Sequence, residues 1–202
     1  MKARRKPSIP SKPAYFPAEN VFERWDATQL LRHGREFEQC HFIGGDFSGA
    51  NLGNLLFVDC LFERCNLASA SLNGTSLQNV AFEACKLSGV QFGACRDMLF
   101  GVHFDQCPMP YTSFYGRKMP HTRFHDCVLT EADFESADLT EAVFRECSLA
   151  GARFERTQLS GADFTTATGF FIDPELNPLR NARFALAGLP GLLGKYELLI
   201  EP

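Results

Sequence analysis

The 202-residue sequence predicts an all-β solenoid, a four-sided β-helical rod with a short capping helix at its carboxyl end. Three observations lead there: an apolar side chain on every fifth residue, a small side chain two places before it, and a twenty-residue recurrence of like side chains. Phe, Leu or Met occupies every fifth position from Phe37 to Phe92, twelve in succession. The series resumes from Leu99 to Phe164, fourteen more, which excludes chance. A period of five matches neither the 3.6 of a helix nor the alternation of a long strand.

Each five-residue unit then reads as one side of a polygon. Small side chains precede the centres, as at Cys40, Ala50, Cys60, Thr75, Ala132 and Ala162. Two inward positions two residues apart describe a very short strand, and the Ser, Gly, Asn, Asp and Glu between them turn the corner. Every fourth centre from Phe42 gives Phe62, Phe82, Phe104, Phe124, Phe144 and Phe164. Four sides therefore close one coil, and coils stack at the ~4.8 Å spacing of paired strands. The repeat window holds about 6.5 coils, a rod of roughly 31 Å.

The cysteines share this geometry. Cys65, Cys85, Cys107, Cys127 and Cys147 form one inward column whose single 22-residue step locates a two-residue bulge at 93–98. Thiols one coil apart are within disulfide reach. No His joins the column, however, and eight thiols without a secretion signal read as small buried side chains. Cys95, in the bulge, is the thiol expected to react.

A hydrophobic content of 45% excludes a disordered chain. No apolar run approaches the ~20 residues of a spanning helix, and the amino-terminal MKARRKPSIPSKPAYFP has basic residues with no apolar core behind them. A soluble, cytoplasmic protein is expected. Residues 1–33 carry seven Lys/Arg against three Asp/Glu, and residues 34–164 ten against seventeen. A body with that acidic excess is unsuited to binding nucleic acid directly. The expected organisation is a basic, disordered leader over 1–19, an irregular first coil or cap over 20–36, the rod over 37–168, and a cap and dimerisation segment over 169–202.

The units Ala50-Asn51-Leu52, Ala132-Asp133-Phe134, Ala137-Asp138-Leu139 and Ala162-Asp163-Phe164 carry a small residue, then Asp or Asn, then Leu or Phe. Over 37–164 the chain resembles the pentapeptide-repeat family, which implies a right-handed quadrilateral β-helix. The tail GFFIDPELNPLRNARFALAGLPGLLGKYELLIEP resembles the cytoplasmic bacterial branch that includes the quinolone-resistance (Qnr) and albicidin-resistance proteins. That resemblance implies a carboxyl-terminal homodimer contact. Read independently, Pro190 suits a first helical turn, and Leu189, Leu192, Leu193 and Tyr196 lie at helical spacing on a segment that must cover the open rod end.

The same resemblance implies a protein partner, DNA gyrase or topoisomerase IV, engaged by mimicry of a DNA duplex. Asp126 with Glu146, and Glu135 with Glu155, are twenty residues apart and stack on adjacent coils. Asp105, Glu131, Asp133, Asp138, Glu141 and Asp163 add to the same half, while Arg123, Arg145, Arg153 and Arg156 interrupt it. Qnr proteins from Gram-negative bacteria carry projecting loops that matter for drug protection, and this sequence has only its bulge. A second irregularity, CPMPYTSFYGRKMPH, puts prolines beside centres and Arg117 where a small buried residue belongs. Tyr111, Tyr115, Arg117, Lys118 and His121 form a candidate contact patch there, with a plain structural bulge as the alternative.

Catalysis requires convergent groups in a concavity, and a filled rod provides none. The five histidines fall at outward positions or in the leader, and no phosphate-binding glycine loop, CxxC pair or HExxH motif occurs. The expectation is a non-enzymatic binder with no catalytic residue, cofactor, metal, small-molecule substrate or membrane contact. The alternative function is a structural or adaptor module for a different protein.

Overall fold

The computed structural model describes residues 16–199, so residues 1–15 of the expected leader lie outside the described residues. On one side of the rod, β1 (Val21–Glu23), β3 (His41–Ile43), β5 (Leu61–Glu63), β7 (Val80–Glu83), β8 (Val102–Asp105), β9 (Arg123–His125), β10 (Val143–Arg145), β11 (Asp163–Phe164) and β12 (Arg183–Phe184) form a nine-stranded parallel sheet. An adjoining side holds β2 (Glu36–Glu38), β4 (Leu56–Val58) and β6 (Ser76–Gln78). Isolated parallel bridges such as Asp133 with Arg153 and Val128 with Ser148 continue the pairing on the other sides.

The register is twenty residues per coil, Phe42 opposite Phe62 and Phe124 opposite Phe144, with one step of 22 where Phe82 meets Phe104. Nine strands in one sheet make eight coil steps, about 38 Å at the spacing of paired strands. The rod is thus longer than the 6.5 coils of the repeat window, because β1 and β12 extend it at both ends.

Aromatic columns fill the interior. Phe104, Phe124 and Phe144 stack nearly parallel at centroid distances of 5.2 and 4.9 Å. A second column, Phe92, Phe114, Phe134 and Phe154, meets the first edge-on, as Phe114 does Phe124 at 5.7 Å and 81°. Offset stacks in one direction and edge contacts in the other satisfy the ring quadrupoles throughout. The small inward positions do more than fit. Cys85 Sγ donates to the carbonyl of Phe62 at 3.2 Å, and Thr75 and Thr157 hydroxyls donate to the carbonyls of Leu52 and Phe134 at 2.7 and 2.8 Å. Cys85, Thr75 and Thr157 thus share one task, satisfying a buried carbonyl on the preceding coil.

Both ends are closed. In the first coil Asp26 and Gln29 form a reciprocal capping box that starts α1 (Ala27–His33), whose Leu30 is buried in the core. At the other end Asn177 Nδ2 donates to the carbonyl of Phe154 at 2.7 Å, and its Oδ1 accepts from the Thr157 amide at 2.9 Å. A short helix, α2 (Pro190–Leu193), follows with Pro190 in its first turn, and the Ile172 amide donates to the carbonyl of Gly191.

Candidate protein-binding surface

The bulge and Arg117 are one feature. Counting one coil back from Arg117 leads into the 93–98 segment, and the Arg117 side chain turns inward there and is only 3% exposed. Its Nη2 donates to the carbonyls of Gly93 and Cys95 at 2.7 and 2.6 Å, and its Nη1 to Arg96 O at 3.3 Å and Asp97 Oδ1 at 2.8 Å. The guanidinium also lies over the Phe100 ring, 4.6 Å from its centroid. The two extra residues open the backbone so that its carbonyls wrap a cation. This corrects the contact patch: Tyr111, Tyr115, Lys118 and His121 are exposed, but Arg117 is interior.

Two further expectations are overturned at the bulge. Leu99 is not an inward centre; it sits at φ 57°, 72% exposed, and Phe100 packs against the core in its place. Cys95 is not an accessible thiol either. It stands one coil before Arg117 at an inward position, and burial pushes its pKa up to about 12 despite the nearby guanidinium. Met98, 73% exposed, joins Leu99 at a tip that sequence reasoning missed. Ladder bonds resume on both flanks, from the Arg96 amide to Thr75 O at 2.9 Å and from the Gly101 amide to Leu77 O at 3.0 Å.

The predicted carboxylates all lie on the rod surface, with Asp126 and Glu146 in adjacent coils beside the register pair His125 and Arg145. Half of them meet an arginine or a histidine. Glu135 is clamped by Arg153 at 2.5 Å and by Arg156, and Asp163 meets Arg183 at 2.9 Å. His125 bridges Asp105 at 2.8 Å and Glu146 at 3.8 Å, Glu146 also meets Arg145, and Glu141 faces His121 at 3.4 Å. Asp133 and Asp138 accept hydrogen bonds from the amides two residues on, Glu135 and Thr140. Asp126, Glu131 and Glu155 form no ion pair among the described residues. Asp126, Glu131, Glu141 and Glu146 occupy left-handed corners, at φ 50 to 56°, where Gly151 and Gly161 do the same without strain.

At the carboxyl end Leu189, Leu193 and Tyr196 are outward, and Leu186, Phe171 and Leu176 add apolar surface. Leu192 instead packs onto the core, so it caps the rod and is not free for a partner. Lys195 ties the segment down through Asp173 and Glu175 at 2.8 and 2.7 Å. Among the described residues no cluster of His, Cys, Asp and Glu is arranged to hold a metal, and no helix is long and apolar enough to cross a membrane.

A parallel solenoid with four short sides per coil and aromatic columns inside defines the class of this protein. Family profiles for a pentapeptide repeat region match residues 35–97 and 57–134, and one for pentapeptide repeats in eight copies matches 127–165. The chain belongs to the pentapeptide-repeat family. Comparison with curated sequences finds no match. Among solved structures it is similar to two trypsin-treated variants of QnrB1, a plasmid-mediated fluoroquinolone resistance protein. Each is 14% identical at a TM-score of 0.61, over 90% of this chain and 97% or 99% of the other. It is also similar to HetL of the cyanobacterium Nostoc, a protein involved in heterocyst differentiation regulation, with 19% identity, a TM-score of 0.41, and 73% and 69% of the two chains covered.

The clamp at the bulge makes two quantitative expectations. Arg117→Ala leaves several buried carbonyls unsatisfied and lowers stability in chemical denaturation by about 3 kcal/mol or more. Arg117→Lys recovers little of that, because an ammonium cannot span the fork; a loss below about 1 kcal/mol would show that the bulge holds itself. For Cys95, labelling by an aromatic disulfide at pH 8, read site by site by mass spectrometry, is on the order of a thousandfold slower in the folded protein than in the denatured chain. Prompt labelling of the folded protein would contradict the buried placement.

Proposed function

We propose that this chain is a non-enzymatic rod that binds a type II topoisomerase, DNA gyrase first among them, in place of a DNA duplex. It would thereby modulate the enzyme or shield it from quinolone-like poisons in the cytoplasm. The observation that carries this reading is the stacking of carboxylates on successive coils, Asp126 beside Glu146 and Glu135 beside Glu155, on a narrow rod whose body carries seventeen acidic against ten basic residues. Regularly spaced negative charge along a stiff cylinder is the electrostatic outline of a duplex, and it steers approach to a basic DNA-binding surface. The fold shared with a fluoroquinolone resistance protein supports the choice of partner. A second reading, an adaptor for another protein, draws on the arginines that clamp Glu135 and Asp163 and break the acidic field.

The test is a gyrase supercoiling assay with purified protein titrated in, alone and with a fluoroquinolone. Wild type is expected to change supercoiling or relieve the drug, and Asp126→Lys/Glu146→Lys to lose the effect. No effect of wild type at micromolar dose rejects gyrase in favour of the adaptor.

The same proposal takes the exposed Leu189, Leu193 and Tyr196 as a homodimer contact. Light scattering is expected to give twice the chain mass for wild type and the 22.6 kDa monomer for Leu193→Asp. A monomeric wild type would remove the dimer.

A further inference from the structure

In the carboxyl half of the rod, the side that follows the nine-stranded sheet in chain order has its own chemistry. Its centres Met109, Leu129 and Leu149 are buried, and the residues before and after each centre point outward. Pro108, Val128 and Ser148 form one outward row, paired in parallel from coil to coil. Pro110, Thr130 and Ala150 form the other; the Tyr111 amide donates to Thr130 O and the Glu131 amide to Ala150 O, both at 2.9 Å. None of these six residues is charged, and Val128 is 45% exposed. Short side chains, two of them proline, make a flat and uncharged floor.

Carboxylates stand on both edges of this floor. Asp126 and Glu146 occupy the left-handed corners before Leu129 and Leu149, Glu131 occupies the corner after Leu129, and all three are exposed. Glu146 meets Arg145 and His125, whereas Asp126 and Glu131 form no ion pair among the described residues. The Glu131 carboxylate folds over Gly151, at the same corner of the next coil, where a β-carbon would stand 2.6 Å from its Cδ. Glycine there lets the negative edge run on along the floor. Asp126 and Glu131 are five residues apart, so the two edges lie within about 17 Å of each other.

We propose that this side of the rod docks an amphipathic helix of the partner protein, one with an apolar stripe bordered on both flanks by Lys or Arg. An uncharged floor between acidic edges is complementary to that profile. Nucleic acid has the wrong charge, and the same side of a second copy would bring like charges together. The dimensions agree: a helix is 10–12 Å across and fits between the edges. Two of its turns, about 11 Å, match the two coil steps from Pro108 to Ser148, about 10 Å. Its apolar stripe covers Val128 and Pro108, and its cations reach Asp126 and Glu146 on one edge and Glu131 on the other. The inference rests on the reading of Asp126 and Glu146 as partner-binding groups, and adds to it the side of the rod and the element of the partner.

The probe is a helical peptide of leucine and lysine, about four turns long with leucines at i, i+3, i+4 and i+7, titrated into the 15N-labelled full-length protein at low salt. Amide shift changes are expected to centre on Val128, Thr130, Ser148 and Ala150, and a peptide with glutamine in place of leucine to bind about tenfold or more weakly. Val128→Lys is expected to cost about tenfold or more in affinity for the leucine–lysine peptide. It keeps the fold, because Lys86 stands in the same outward row one coil before Pro108. Gln78→Lys, the same charge change on the side that holds β6, is expected to leave the affinity within about twofold of wild type. Shift changes centred on another side, equal binding of the glutamine peptide, or full affinity of Val128→Lys overturn the proposal. The supercoiling assay separates it from the choice of gyrase. A wild-type effect that Val128→Lys keeps in full overturns the docking face and leaves gyrase as the partner; peptide docking at this face with no effect on gyrase supports the face and rejects gyrase.

Discussion

Every coil of this rod is hydrogen-bonded to the next through parallel backbone ladders, and that single constraint governs where each residue type can go. A coil must return to the same register after twenty residues, as Phe124 does on Phe144, or carry a defined excess, as between Phe82 and Phe104. Because side chains stack directly above one another, an interior position is judged against its neighbours one coil away and hardly at all against its neighbours in sequence. Phenylalanines stack at about one strand spacing in two columns, and Cys85 and Thr157 bond carbonyls on the preceding coil. Buried polar groups such as Thr75, Thr157 and Asn177 take on hydrogen-bonding tasks of this kind, with Arg117 as the largest case.

Arg117 shows how such a lattice accommodates a defect. A buried guanidinium needs acceptors on every side. The two extra residues before it supply carbonyls from Gly93, Cys95 and Arg96, while Phe100 provides a ring face and the space of a missing centre. The consequence at the surface is a stiff projection ending in Met98 and Leu99. In an otherwise smooth rod, Met98 and Leu99 make an exposed apolar tip. The outward positions are otherwise free of the fold's demands, so their charges can be set by a partner; the carboxylates at left-handed corners, where glycine would carry no strain, fit that freedom.

Much of this was legible in the sequence because the repeat translates directly into three dimensions: centre, small position, corner and coil all follow from counting. What counting missed has physical causes. Leu99 satisfied the five-residue spacing, but inside the bulge the backbone leaves the lattice and Phe100 takes the inward place. Arg117 was visible as a violation, and subtracting one coil would have paired it with Asp97, yet its reach into the bulge depends on side-chain direction. The cations around Glu135 stand 18 and 21 residues away, offsets that cross a corner and escape a column-by-column reading. Helix α1 was announced by the Asp26–Gln29 spacing of a capping box, a local signal overshadowed by the longer repeat.

The most direct test of the account is native-state hydrogen exchange, resolved by residue, across the bulge. The account predicts that Arg96, Gly101 and Val80, whose amides bond Thr75, Leu77 and Gly101, exchange as slowly as Asp126 and Phe134 in the regular coils, with the whole ladder opening together. Free exchange at the three bulge-flanking amides while the regular coils stay protected would contradict it. The rod would then be two solenoids joined by a hinge, with no continuous ladder through the site of Arg117.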